Sequence, residues 1–132
     1  MKELENNMEN EFVSYNQALA LKELGFDEPC FGYWKSKNWL IQEKTRTDGY
    51  THADQECSAP LCQQAFRWLR EKHELVVDWN HSQYDNAGSY IGVSIKNIHL
   101  EETVVGVYKS YEEAEQACLD KLIQIVKNNA HI

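Results

Sequence analysis

The chain has 132 residues, 42% of them hydrophobic and 26% charged, and carries a net charge of −8. That length suits one domain with a core of its own, and no apolar run reaches the about 18 residues that a membrane span needs. The acidic balance disfavours tight, non-specific binding to nucleic acid, which needs a dominant basic surface.

In chain order, the first eleven residues are polar and acidic, and residues 1–11 are expected to be frayed, ahead of a single domain over 12–132. Met1-Lys2-Glu3-Leu4-Glu5-Asn6-Asn7 has no apolar h-region, so no secretory signal is read there and the expected location is the cytoplasm. Ser14-Tyr15-Asn16-Gln17 has the spacing of a capping box, in which serine and glutamine each satisfy a backbone N–H of the other. A helix is predicted from Ser14 to Leu24, with Ala18 and Leu21 inward. Gly25 stands where a left-handed terminating residue is wanted, and Pro29 prevents the helix from resuming.

Two aromatic strands follow, Cys30–Trp34 and Trp39–Lys44, about a turn at Ser36-Lys37-Asn38. Residues 45–57 turn polar and read as the longest loop. Pro60 suits a first helical turn, and a helix over Pro60–His73 buries Leu61, Cys62, Ala65, Phe66 and Leu69, with Gln63, Gln64, Arg67, Arg70 and Glu71 outward. Three more strands are predicted. Leu75, Val77 and Trp79 share a face of the first, and Ile91, Val93 and Ile95 share a face of the second. The third, Thr103–Tyr108, sets Val105 and Val107 against Val104 and Tyr108.

Ser110-Tyr111-Glu112-Glu113 repeats the capping spacing and opens a last helix to Lys127. Its inner stripe is Ala114, Cys118, Leu122 and Ile125, broadened by Ala117 and Val126. The expected fold is α+β, in the order α-β-β-α-β-β-β-α. A mainly antiparallel sheet of about five strands is covered by three amphipathic helices.

Cys30, Cys57, Cys62 and Cys118 are irregularly spaced and read as reduced, structural thiols. His52, Cys57 and Cys62 are the best metal candidates, but zinc sites favour close pairs and Cys62 is wanted by the core, so no metal or cofactor is expected. His81 lies between Asp78 and Asp85 at a strand end, a setting that suits general acid–base work and a small hydrolase, although polar hairpin loops share that composition. Gly88-Ser89-Tyr90-Ile91-Gly92 has its serine one place too early for a nucleophile elbow. Asn80-His81-Ser82 is formally a glycosylation sequon, without meaning in a cytoplasmic chain.

The hairpin 33–46 interleaves Trp34 and Trp39 with Lys35, Lys37, Lys44 and Arg46. Aromatic platforms among cations hold single-stranded nucleic acid or nucleotides, while the preferred account is that one indole packs inward and the cations guard a sheet edge. The chain holds four Trp and seven Tyr, and those left outside the core would make a protein-binding patch. Tyr33, Tyr50, Tyr84 and Tyr90 are the candidates.

Three stretches carry a resemblance. They are Ala18-Leu19-Ala20-Leu21-Lys22-Glu23-Leu24-Gly25-Phe26-Asp27-Glu28-Pro29-Cys30-Phe31-Gly32, then Ala59-Pro60-Leu61-Cys62-Gln63-Gln64-Ala65-Phe66-Arg67-Trp68-Leu69-Arg70-Glu71-Lys72, and Tyr111-Glu112-Glu113-Ala114-Glu115-Gln116-Ala117-Cys118. Together the chain resembles a group of small uncharacterised proteins of gut Bacteroides-type bacteria, their prophages and other mobile elements. The resemblance implies a phage or mobile-element setting and brings no functional residues. The residues themselves favour a non-catalytic protein-interaction module with an unknown protein partner. A single-stranded nucleic-acid or nucleotide binder using the hairpin is the alternative, and a hydrolase around His81 the weaker one.

Overall fold

The computed structural model describes residues 11–47, 57–84 and 88–129. Its elements are α1 (Tyr15–Glu23), β1 (Cys30–Ser36), β2 (Trp39–Thr47), β3 (Cys57–Ser58), α2 (Cys62–His73), β4 (Val76–Tyr84), β5 (Gly88–Lys96), β6 (Glu102–Tyr108) and α3 (Tyr111–Asn129). The class is α+β with antiparallel pairing throughout the described strands. One sheet of about five strands is corrected to two sheets of three, ordered β2-β1-β3 and β4-β5-β6. The sixth strand, β3, is only two residues long, too short for hydrophobic alternation to announce it. The described residues up to Ala65 form one compact unit, and those from Phe66 onward form a second.

In the first unit, α1 begins as its sequence dictates. The Ser14 hydroxyl accepts from the Gln17 N–H at 3.2 Å, and the Gln17 side chain accepts from the Ser14 N–H at 2.9 Å. The helix ends in a Schellman turn. The Phe26 N–H reaches the Leu21 carbonyl at 3.0 Å, the Gly25 N–H reaches that of Lys22 at 3.1 Å, and Gly25 sits at φ +99°. Phe26 and Leu21, the two side chains this turn brings together, are both buried. The expected fraying concerns residues 1–11, of which 1–10 lie outside the described residues. Glu11 accepts from the Cys62 N–H at 2.7 Å, and Phe12 bridges to Leu61.

β1 is the middle strand of its sheet, with both its edges paired, and Gly32, Tyr33 and Trp34 are buried in succession, so side chains on both of its faces are covered. Tyr33, expected outside, is therefore a core residue. The Trp34 indole donates to the Val13 carbonyl at 3.3 Å and meets the Tyr15 ring edge-on at 6.0 Å. At Gly32 an added Cβ would lie 2.9 Å from both the Ile41 carbonyl oxygen and the Phe12 ring. Only glycine admits that approach. Gln64, expected outward, is buried instead. Its amide donates to the Pro29 carbonyl at 3.0 Å and to the Glu28 carboxylate at 3.2 Å, which draws it in.

In the second unit, β4 and β5 pair without interruption from Val76↔Lys96 to Tyr84↔Gly88. Ile91, Val93 and Ile95 are buried on one face of the central strand, as the alternation requires. In β6 the expected alternation fails. Val93 pairs with Gly106 but Ser94 pairs with Val104, which leaves Val105 as an extra residue. Such a bulge shifts the side-chain parity by one, so Val104 and Val107 share a face and both stand exposed. Gly106 takes φ +154°, with the Tyr108 hydroxyl 2.8 Å from where a Cβ would be.

α3 packs on β5 and β6. The Ser110 hydroxyl accepts from the Glu113 N–H at 3.2 Å, so the second serine also caps its helix. The buried arc of α3 holds Ala114, Cys118, Leu122 and Val126 as expected, but it turns towards Leu119 and Ile123 and leaves Ile125 half-buried. Trp68, missed from the α2 stripe, is 4% exposed and meets the His73 ring at 5.2 Å.

Candidate functional site

The connection between β5 and β6 is five residues, 97–101, and it is organised around one side chain. The Asn97 side-chain oxygen accepts from the N–H groups of His99 at 2.9 Å and Glu101 at 3.0 Å. Its amide nitrogen donates to the Glu101 carboxylate at 3.1 Å. The backbone adds Leu100 N–H to Asn97 carbonyl at 3.0 Å and Asn97 N–H to Glu101 carbonyl at 3.2 Å. Asparagine reaching its own backbone two residues on is a familiar turn device. Here it holds Leu100 at φ +61°, a conformation that suits glycine or asparagine far better than a branched apolar residue.

At the tip of this turn Ile98 is 63% exposed and Leu100 81%. Most of the surface of both side chains is left in water. Isolated exposed aliphatics are ordinary; two of them on a hydrogen-bonded turn, one at a strained backbone position, are not. Sequence reasoning missed both, because a turn reads as polar and its Leu has no periodic neighbours.

The sequence candidates are dispersed. In the first hairpin Trp34 is enclosed, while Trp39 is 53% exposed and has the Lys35 ammonium over its ring at 4.4 Å. Lys37 is exposed in the turn beside it. Lys44 and Arg46 lie on β2, where the backbone alone is described. Among the tyrosines, Tyr33 is buried, Tyr90 is half-buried on β5, Tyr84 ends β4 and Tyr50 lies outside the described residues. The structure therefore brings together Lys35 and Trp39, with Lys37 in the adjoining turn, and does not gather Tyr33, Tyr84 and Tyr90 in one place.

Asp78 and His81 are three apart on β4, so the pleat sets them on opposite faces. Asp78 instead pairs with Lys96 at 3.6 Å, and Asp85 lies outside the described residues. On β4, Asp78 and His81 therefore do not meet on one face.

Cys30, Cys57, Cys62 and Cys118 are all buried and none is in a disulfide. Burial, reinforced by the Glu115 carboxylate, pushes the Cys118 thiol up to about 12, so at neutral pH it holds no nucleophilic thiolate. His52 lies outside the described residues, and among the described ones no group of three His, Cys, Asp or Glu side chains is arranged to hold a metal ion. A cleft of about 260 Å³ lies among His73, Leu75, Val126 and Asn129, and desolvation there lowers the His73 pKa and favours its neutral form. No described helix is long and apolar enough to cross a membrane.

No protein-family model matches the chain, and no curated protein or solved structure is detectably similar to it.

Proposed function

We propose that the protein is a non-catalytic interaction module that docks a protein partner through the Ile98–Leu100 turn. In keeping with the resemblance of its sequence, the partner belongs to a bacterial host or to the mobile element it carries. One observation carries the reading: Leu100 is 81% exposed at φ +61°. A residue held in a costly conformation with its side chain in water gains nothing from the fold, and such strain persists where the side chain is needed for something else. Ile98, two residues before it, adds to the apolar surface on offer, and the Asn97 hydrogen bonds keep the turn preorganised, which lowers the ordering cost on binding.

Leu100→Gly separates this reading from a structural role, because the two make opposite predictions. The variant is expected to unfold at equal or higher urea concentration, gaining up to about 1 kcal/mol from relief of the left-handed strain. At the same time it is expected to lose the partner recovered by the wild-type chain in affinity capture from a bacterial host lysate. A destabilised variant that still captures the same partner would refute the proposal.

A second reading rests on Trp39, whose ring is exposed beside Lys35 and Lys37. Base stacking on such a ring is worth about 1–3 kcal/mol. Under this reading a single-stranded oligonucleotide binds at low salt, and Trp39→Ala with Lys37→Ala weakens binding by about tenfold or more. A fluorescence titration that shows no binding at low salt would end it.

A further inference from the structure

We propose that β6 is a self-pairing edge through which two copies of the chain form a symmetric dimer. This goes beyond the docking turn and stands without it. Among the described residues β6 has a strand neighbour on one side only, because it closes the order β4-β5-β6. Edge strands that must stay solitary usually carry lysine, proline or inward charge. β6, Glu102-Thr103-Val104-Val105-Gly106-Val107-Tyr108, has no lysine or proline, and two of its exposed side chains are valines, Val104 at 73% and Val107 at 60%.

A bulge can itself blunt an edge, but this one lies at the centre of the strand and gives it an internal symmetry. Because Val105 is the extra residue, Glu102, Val104 and Val107 fall on one face, and Lys109, the residue just after the strand, is the next position in that alternation. A twofold axis through the bulge, perpendicular to the sheet, lays a second β6 antiparallel to the first. Val104 then stands opposite Val107 of the second copy, and Glu102 stands opposite its Lys109. The axis repeats both pairs, so each exposed valine is covered and each charge meets its opposite. Glu102 and Lys109 are both exposed in the single chain, available for that pairing. The self-complementarity is that of an isologous interface, and cross-strand pairs of opposite charge and of branched apolar residues are the ones that stabilise antiparallel sheets. The product is one continuous sheet of six strands.

Sedimentation velocity of the full chain over a range of concentrations tests this, with circular dichroism confirming that each variant is folded. The wild type is expected to be a concentration-dependent dimer. Glu102→Lys and Lys109→Glu, each of which sets like charges opposite one another twice, are each expected to weaken the dimer about tenfold or more. The double variant E102K/K109E exchanges the two charges and is expected to restore wild-type association. Val104→Lys is expected to be monomeric. A wild type that stays monomeric throughout, a dimer indifferent to either single reversal, or a double variant that fails to recover would overturn the proposal. Leu100→Gly leaves β6 untouched and is expected to dimerise normally, so failure of the docking turn and failure of the self-pairing edge are read separately.

Discussion

Trp34→Ala is expected to lower the unfolding free energy by about 3–5 kcal/mol, the range for removing a large aromatic from a core. Trp34 lies on the middle strand of its sheet with 8% of its surface exposed. Alanine there would forfeit three things at once. The ring's packing and its edge-on contact with Tyr15 at 6.0 Å would go. The Val13 carbonyl, which accepts from the indole at 3.3 Å, would be left without that donor, and a carbonyl so placed pays its desolvation in full. Trp34→Phe keeps most of the packing and loses the hydrogen bond, so it is expected to fall well short of the alanine loss. Urea denaturation of the three proteins checks the order. If Trp34→Ala proved as stable as the wild type, the account of the first unit's core would be wrong.

Leu122→Ala is expected to destabilise the second unit by about 2–5 kcal/mol. Leu122 is wholly inaccessible to solvent, at the middle of the arc that α3 turns inward. Its neighbours on that arc, Cys118, Leu119, Ile123 and Val126, are also buried, so the vacated volume is enclosed and collapses only in part. Ile125, half-buried at the rim of the same arc, is the internal control. Ile125→Ala leaves space that solvent can reach and is expected to lose markedly less. The sequence stripe ranked the two residues together, so equal losses would favour that stripe over the observed helix orientation. Urea denaturation followed by far-ultraviolet circular dichroism distinguishes the two.

Local features were legible because their causes are local. The Ser14–Gln17 box, the termination of α1 at Gly25 and the turn between β1 and β2 each depend on side chains within a few residues of the backbone they satisfy. The burial of Ile91, Val93 and Ile95 followed from strand pleat alone. The turn at 97–101 was not legible, since the left-handed backbone at Leu100 is imposed by Asn97 once β5 and β6 are already paired.

The chain by itself determined its class, its three described helices and five of its six described strands, because hydrophobic period and capping chemistry act over one or two turns of backbone. Only the tertiary structure decided that the strands divide into two sheets, that Tyr33 and Gln64 are buried, and that Val104 and Val107 share an exposed face. Each of these depends on which distant segment becomes the neighbour. Both edges of β1 are paired because it lies between β2 and β3, Gln64 is drawn to Glu28 and Pro29, and the bulge in β6 exists only against β5. Pairings between remote residues leave no period in the sequence, and one inserted residue is enough to reverse which face a side chain occupies.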